Sequence, residues 1–178
     1  GERVLVTGGS GGVATAGIQI ARLAGARVFA LTSGQDNVRR VRSLGAHHAY
    51  DRTEGDWVKA LARDTDRQGV HVILDSVGEP LWDGMMRSLG VMGRLVSYGA
   101  TAGPKTRLDL RHVFWKQLSI MGSTMGTPTE FRAVMRQVFE GRLEPVIHST
   151  LPLDRIREAH ELLERGEAFG KVVVLPWS

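Results

Sequence analysis

The sequence predicts an α/β fold in which a doubly wound, mostly parallel six-stranded sheet carries helices on both faces. Two observations lead to this prediction. Short apolar runs alternate with segments of about ten residues whose apolar side chains recur at helical spacing, as in βαβ units. The first run, residues 3–7, leads directly into a glycine cluster and then into an apolar helix. Right-handed crossovers between parallel strands then place helices on both faces of the sheet.

The first half of the chain predicts strands and helices in strict alternation. Residues 3–7 contain consecutive apolar side chains, and residues 11–25 carry an apolar stripe that ends at Gly25, a suitable helix stop. Residues 36–44 repeat this pattern and end at Gly45. The other predicted elements of this half are the strands 26–31 and 47–50 and the helix 56–63.

The second half continues the alternation. The predicted strands are 70–74, 93–98, 118–121, 145–148 and 171–175. The predicted helices are 81–88, 109–115, 130–140 and 153–165. In a parallel sheet the strand ends Thr7, Thr32, Asp75 and Tyr98 should lie along one edge, which is where such sheets bind ligands.

Composition sets limits on the class of protein. Hydrophobic residues make up 42% of the chain and charged residues 24%, as in soluble globular domains. The net charge of +4 is scattered, so a nucleic-acid patch is not indicated. The chain has no cysteine, no run long enough for a membrane span and no signal peptide. A cytoplasmic location is therefore the default expectation, and the abrupt start at Gly1 suggests a piece of a longer polypeptide.

The glycine cluster after the first strand fits a dinucleotide-binding fingerprint, Gly9-x-Gly11-x-x-Ala14. In this interpretation Gly9 turns the strand, Gly11 lets the backbone touch a pyrophosphate, and Ala14 allows close packing of helix and strand. Gly12 and Val13 open the helix, whose N-terminus presents N–H groups and partial positive charge to phosphates. The cluster therefore predicts a cofactor site.

A set of motifs in a fixed order resembles the medium-chain dehydrogenase/reductase superfamily, especially its quinone-reductase-like and alcohol-dehydrogenase-like members. The motifs are Gly-Gly-Ser-Gly-Gly-Val-Ala at 8–14, Leu-Gly-Ala at 44–46, Asp-Ser-Val-Gly at 75–78, Gly-Arg-Leu-Val at 93–96 and Gly-Lys-Val-Val at 170–173. The resemblance covers essentially the whole chain, although Ala14 stands where the family usually has Gly.

The resemblance implies a two-domain oxidoreductase that moves a hydride between a nicotinamide and a quinone, an alkene or enone, or an alcohol or carbonyl. Residues 1–144 would be the cofactor domain, and residues 145–178 would pack back on an N-terminal catalytic domain absent from this chain. That domain would carry the small-molecule substrate pocket and, in some members, zinc. An enoyl-reductase portion of a fatty-acid or polyketide synthase is a variant of this hypothesis.

The residues after the second strand favour NADP(H) over NAD(H). No acid ends that strand to bind a ribose 2′-hydroxyl, and the hydroxyls of Thr32 and Ser33 leave room for a 2′-phosphate. By resemblance, Ser33 occupies the phosphate position, Asn37 stands where the family often has Lys, and Arg52 where it often has Tyr. The planar guanidinium group of Arg52 can donate two parallel hydrogen bonds to a phosphate. Arg39 or Arg40 could add charge.

An alternative stays open, in which Asp36 serves the ribose of an NAD enzyme. The resemblance also places Ser76 and Val77 beside the adenosine ribose, and Tyr98, Gly99 and Thr101 near the nicotinamide. No residue has a catalytic role by spacing or by resemblance, since neither tyrosine begins a Tyr-x-x-x-Lys pair. The histidines show no metal-ligand spacing, so no metal site is predicted in this chain.

Two further expectations concern partners. The apolar strand 118–121 is expected at the edge of the sheet, and in the resembling family such edges pair across a two-fold axis, so a homodimer is predicted. The competing functional hypothesis is a module without turnover that senses NADP(H) or binds nucleic acid.

Overall fold

The computed structural model describes residues 1–177. The strands are β1 (Arg3–Val6), β2 (Arg27–Thr32), β3 (His48–Asp51), β4 (Val70–Asp75), β5 (Leu89–Ser97), β6 (Ser119–Gly122), β7 (Ile147–Pro152) and β8 (Lys171–Leu175). The α-helices are α1 (Gly12–Leu23), α2 (Gln35–Ser43), α3 (Trp57–Asp64), α4 (Trp82–Ser88), α5 (Leu110–Lys116), α6 (Pro128–Phe139) and α7 (Ile156–Glu164). Short 3₁₀ turns at Glu79–Leu81 and Leu153–Arg155 precede α4 and α7.

The first six strands form one parallel sheet in the order β3-β2-β1-β4-β5-β6. This confirms the predicted α/β class and the six-stranded, doubly wound sheet. It also confirms that β6 lies at an edge. Because every strand runs the same way, the carboxyl ends of β1 to β5 lie along one edge of the sheet and the amino ends along the other.

The sheet separates two apolar layers. Alternate residues of β1 face opposite sides, so Val4 and Val6 pack with α1 and α2, whereas Leu5 packs with α3 and α4. Leu5 and Val6 are fully buried. Burial on both faces explains why these strands are continuous apolar runs rather than alternating ones.

The start of β5 differs from the prediction, which placed this strand at 93–98. The strand begins at Leu89, pairs with Val70, and resumes its regular register only where Arg94 pairs with Val72. The intervening residues bulge out, and Met92 takes a left-handed conformation with φ of +58°. Bulges leave a weak signal in the hydrophobic pattern because the extra residues break its period of two.

The C-terminal segment lies outside the main sheet. β7 and β8 pair only with each other, and an isolated bridge between Gly11 and Gly170 joins them to the loop after β1. The predicted strand 145–148 starts two residues later, at Ile147, and the predicted helix 153–165 begins with a 3₁₀ turn. The predicted domain boundary between residues 144 and 145 stays a prediction.

The helices near the end of the main sheet are poorly covered. α6 has a complete capping box at Thr127 and Glu130 but no buried residue, and Phe139 is 83% exposed. None of the helices within residues 1–177 is both long and apolar enough to cross a membrane.

Candidate cofactor-binding site

The loop between β1 and α1 folds around a left-handed residue. Gly8, rather than Gly9, has the positive φ, of +59°. The N–H of Gly9 donates to Leu31 O at 2.9 Å, and the N–H of Gly11 donates to Gly8 O at 2.8 Å. No side chain caps the first turn of α1 within the described chain, and Gly11 and Val13 are exposed beside it. The helix N-terminus is therefore open to an anionic ligand.

Gly9, Gly11 and Gly12 of the loop each lie close to a different neighbour. A Cβ at Gly9 would lie 3.2 Å from Val41 Cγ1 on α2, so this position serves packing, not the sharp turn expected from the sequence. A Cβ at Gly11 would lie 3.2 Å from Gly8 O within the loop. A Cβ at Gly12 would overlap the Lys171 side chain, 2.2 Å from its Cε. The loop therefore has little space for side chains on its protein side.

A buried carboxylate joins the ends of β1 and β4. Asp75 is 1% exposed, and its Oδ1 accepts from the Thr7 hydroxyl at 2.5 Å and from the Val77 N–H at 3.1 Å. Its Oδ2 accepts from the Gly78 N–H at 3.1 Å. A side chain at Gly8 would lie only 3.2 Å from Val77 Cγ2. Asp75 thus fixes the loop after β4 against the glycine loop.

The predicted residues after β5 lie against those after β4. The N–H and the hydroxyl of Thr101 both donate to Ser76 O, at 2.9 and 3.1 Å. A Cβ at Gly99 would lie 3.2 Å from Ser76 Cβ, so these backbones approach closely. Burial raises the pKa of Tyr98, which keeps its phenol neutral at physiological pH. Ser76, Val77, Tyr98, Gly99 and Thr101 therefore form one cluster at the carboxyl edge.

A second polar cluster forms where β2 and β3 end. Arg52 Nε donates to Ser33 Oγ at 2.6 Å, although 19 residues separate them. Asn37 Nδ2 donates to Ser33 O at 2.9 Å from the first turns of α2. The Arg52 N–H donates to Thr32 O at 2.8 Å, and the buried Thr32 hydroxyl has no hydrogen-bond partner among the described residues. The structure thus brings together the four residues predicted for a 2′-phosphate.

The other charged groups of α2 point elsewhere. Asp36 forms an ion pair with Arg39, and both side chains are largely exposed. The Arg40 guanidinium lies 5.3 Å from the ring centroid of Phe169. Within residues 1–177, Asp36, Arg39 and Arg40 form no hydrogen bond with Ser33. The Ser33–Arg52 pair is therefore better placed than Asp36 to meet a ribose substituent.

Sequence reasoning did not assign several residues that shape this site. Gly8 stands in a run of glycines that look alike in the sequence, and only its positive φ distinguishes it from Gly9. Asp51, at the end of β3, accepts from the N–H and hydroxyl of Thr53, which together with backbone N–H groups hold its pKa below the usual value. A polar residue at the end of a strand is the signal that placed Asp75 on this edge from the sequence, and the same signal could have pointed to Asp51.

The histidine and carboxylate side chains were the candidate metal ligands of this chain. Residues 1–177 contain no group of three or more His, Asp or Glu side chains placed to hold an ion. The adjacent His47 and His48 have different partners: His47 Nδ1 accepts from the Val28 N–H, whereas His48 Nδ1 lies 3.1 Å from Asp64 Oδ2. The described residues therefore do not fit a zinc site.

The sheet order with a glycine-rich loop between β1 and α1 defines a Rossmann-type doubly wound domain. The family model described as zinc-binding dehydrogenase matches residues 12–140. The chain belongs to this family, within the medium-chain dehydrogenase/reductase superfamily, which confirms the resemblance seen in its motifs.

Curated relatives match the whole chain but only part of their own length. An acryloyl-coenzyme A reductase of Sulfurisphaera tokodaii is 30% identical over 178 residues, which cover 99% of this chain and 51% of that protein. A quinone oxidoreductase of Lama guanicoe is 32% identical over 182 residues, covering 98% of this chain and 54% of that protein. The chain thus spans about half the length of the curated relatives it matches.

Solved structures also match almost the whole chain over about half of their own length. An NAD-dependent alcohol dehydrogenase has a TM-score of 0.92 and 40% identity, covering 98% of this chain and 51% of that one. A crotonyl-CoA carboxylase/reductase, AntE V350A in complex with NADP, has a TM-score of 0.91 and 25% identity, covering 98% of this chain and 50% of that one. These relatives are oxidoreductases, and their names include both nicotinamide cofactors.

Proposed function

We propose that this chain is the NADP(H)-binding part of an oxidoreductase. The observation that carries the cofactor preference is the cluster of Ser33, Asn37 and Arg52 at the carboxyl ends of β2 and β3. Arg52 uses Nε on Ser33, which leaves its two terminal nitrogens for an anion. Asp36, the residue that could favour NAD(H), is paired with Arg39 and faces solvent.

The proposed cofactor lies extended along the carboxyl edge. Gly9, Gly11, Gly12 and Val13 would hold the pyrophosphate at the start of α1, and Thr32, Ser33, Asn37 and Arg52 the 2′-phosphate. Ser76 and Val77 would contact the adenosine ribose, and Tyr98, Gly99 and Thr101 the nicotinamide. When bound, the nicotinamide supplies or accepts a hydride. The chain's own contribution is binding and orientation, and we assign no catalytic residue to it.

The complete enzyme is proposed to need a second domain. The chain spans about half of its relatives, and an additional domain would supply the substrate pocket and any zinc ligands. The proposal that residues 145–178 return towards that domain is supported by the separate β7–β8 sheet. Proposed substrates are quinones, conjugated alkenes and alcohols or carbonyls; relatives named acryloyl- and crotonyl-CoA reductases favour the alkene.

A homodimer through β6 is the proposed assembly. β6 is an edge strand, and Ile120 and Met121 on it are each 40% exposed. Exposed apolar edges pair readily with another strand. Light scattering at micromolar concentration should give twice the chain mass, and a monomer would contradict this part of the proposal. A cytoplasmic location stays a prediction.

The cofactor proposal is tested by fluorescence titration of the chain with NADPH and NADH. NADPH should bind more tightly. A charged hydrogen bond is worth about 1.5–3 kcal/mol, so Arg52→Gln should weaken NADPH about 10–150-fold and leave NADH nearly unchanged. Arg157→Gln, an exposed change on α7, is the matched control. Negligible binding of both cofactors would end the proposal, and equal loss of both in Arg52→Gln would end the 2′-phosphate assignment.

A further inference from the structure

A second concave site lies at the opposite edge of the sheet from the cofactor cluster. A cavity of about 420 Å³ opens among the amino ends of β1, β4 and β5 and the loop after α3. Its floor is a close backbone contact, since a Cβ at Gly69 would lie 2.5 Å from Ser88 O. This volume is within the range of small-molecule sites in proteins.

The polar lining of this cavity is basic. Five basic side chains line it, and no carboxylate does: Arg3, Arg67, His71, Arg87 and Lys116. The neighbouring carboxylate of Glu2 is not part of the lining and is paired with Arg94. Uncompensated positive charge in a partly enclosed cavity attracts anions more strongly than the same charge on an open surface.

Lys116 keeps a hydrogen-bond donor free, whereas both ring nitrogens of His71 lie against Arg3. Lys116 Nζ donates to Leu89 O at 2.7 Å and Arg87 O at 3.1 Å, so one of its three N–H bonds remains. His71 Nδ1 accepts from the Arg3 N–H at 2.9 Å. Burial and the Arg3 charge lower the pKa of His71, and its Nε2 lies 3.4 Å from Arg3 Nη2.

Arg67 is held in an unusual backbone conformation. Its φ is +61°, and Asp66 before it has a φ of +50°, both in the left-handed region. A non-glycine residue there costs about 1–2 kcal/mol. Glycine would avoid this cost, and it does so two residues later at Gly69. The left-handed turn closes the end of α3, since the Asp66 N–H donates to Arg63 O at 3.1 Å and the Arg67 N–H to Ala62 O at 2.7 Å, as in a Schellman motif.

A buried hydroxyl adds an unused polar group. Ser88 lines the cavity, is 3% exposed, and its Oγ has no hydrogen-bond partner within residues 1–177. A buried hydroxyl without a partner is destabilising, and this Oγ is closed off from solvent within the cavity wall. The lining also has an apolar part, which includes Val58, Leu61 and Val91.

We propose that this cavity binds a small organic phosphate, with the phosphate on Arg67, Arg87 and Lys116 and the apolar body against Val58, Leu61 and Val91. A phosphate monoester is favoured because its charge of nearly −2 and its three oxygens match several separate cations. The mixed lining indicates an amphipathic ligand rather than a bare ion. The site is distinct from the cofactor edge and does not depend on cofactor binding.

Calorimetric titration of the chain with phenyl phosphate tests the proposal, with inorganic phosphate and phenol as reference probes. Phenyl phosphate should bind at least tenfold more tightly than either. Backbone NMR shifts should change at Gly69, Gly90 and Val91 and not at Gly9 to Val13. Changes confined to the glycine loop would assign the binding to the cofactor edge and overturn the proposal.

Single substitutions distinguish the loss of a positive charge in the cavity from a loss of folding. Arg67→Asn should weaken phenyl phosphate about tenfold or more without lowering the thermal midpoint, because Asn accepts a left-handed backbone more readily than Arg. Arg87→Gln should weaken binding similarly. Arg157→Gln, an exposed change on α7, should have no effect. Unchanged affinity in both cavity variants, or inorganic phosphate binding as tightly as phenyl phosphate, would overturn the proposal.

Discussion

Replacing Asp75 by Ala tests how the loops of the cofactor edge are held. The change removes the acceptor for the Thr7 hydroxyl and for the Val77 and Gly78 N–H groups. Each polar group left without a partner costs about 1–3 kcal/mol when buried. Thr7 is fully buried and its hydroxyl would keep only a long 3.4 Å contact to Leu74 O, whereas Val77 and Gly78 are half-buried. We therefore expect a loss of about 3–5 kcal/mol in the free energy of unfolding, summed over these groups.

Urea denaturation followed by circular dichroism measures this loss. For a domain of this size it corresponds to a fall of about 6–20 °C in the thermal midpoint. Thr7→Val removes one donor and should cost about 1 kcal/mol. Asp154→Ala, an exposed carboxylate between β7 and α7, should change stability by less than about 0.5 kcal/mol. An Asp75→Ala protein as stable as the Asp154→Ala protein would refute the reasoning.

Three other predictions concern positions outside the cofactor edge. Gly69→Ala should destabilise the protein by about 1–3 kcal/mol more than Gly55→Ala, as measured in urea. Both glycines have positive φ, but only at Gly69 would the Cβ overlap the backbone, so equal losses would contradict this reasoning. Thr127→Ala should cost about 1 kcal/mol by removing the capping box of α6, which helicity and thermal midpoint will report. The Arg111 guanidinium lowers the pKa of Asp109 from 3.8 to about 2, so the cap of α5 should persist above about pH 4 and be lost as the pH falls through 2. An NMR titration of the Asp109 carboxyl with a midpoint near 3.8 would contradict the last prediction.

The main sheet was largely predictable because its signals are local. The apolar strand residues and the helical spacing predicted six parallel strands and their crossover helices in the correct order along the chain. The last strand, 171–175, has the predicted bounds. The bulge in β5 was missed, because pairing of Leu89 with Val70 depends on the neighbouring strand. The interpretation of Gly9 as the turning residue was wrong for a similar reason: the left-handed angle lies at Gly8.

The candidate site was also predictable only in part from the sequence. The sequence placed its residues at the ends of the first five strands, β1 to β5, and the parallel sheet brings all of these ends to one edge. The sequence could not show that Arg52 bonds to Ser33 or that Asp36 pairs with Arg39. Both possibilities were open because side-chain direction depends on how α2 packs over β2 and β3.

By itself the sequence determined the order of strands and helices, the glycine loop and the family, since these follow from residue types at short spacing. Only the tertiary structure decided that Asp75 meets Thr7 across 68 residues and that basic side chains from β1, the loop after α3, β4, α4 and α5 line one cavity. The physical reason is the same in both cases. Contacts between distant residues depend on strand register and helix packing, and these are set by the burial of both faces of the whole sheet.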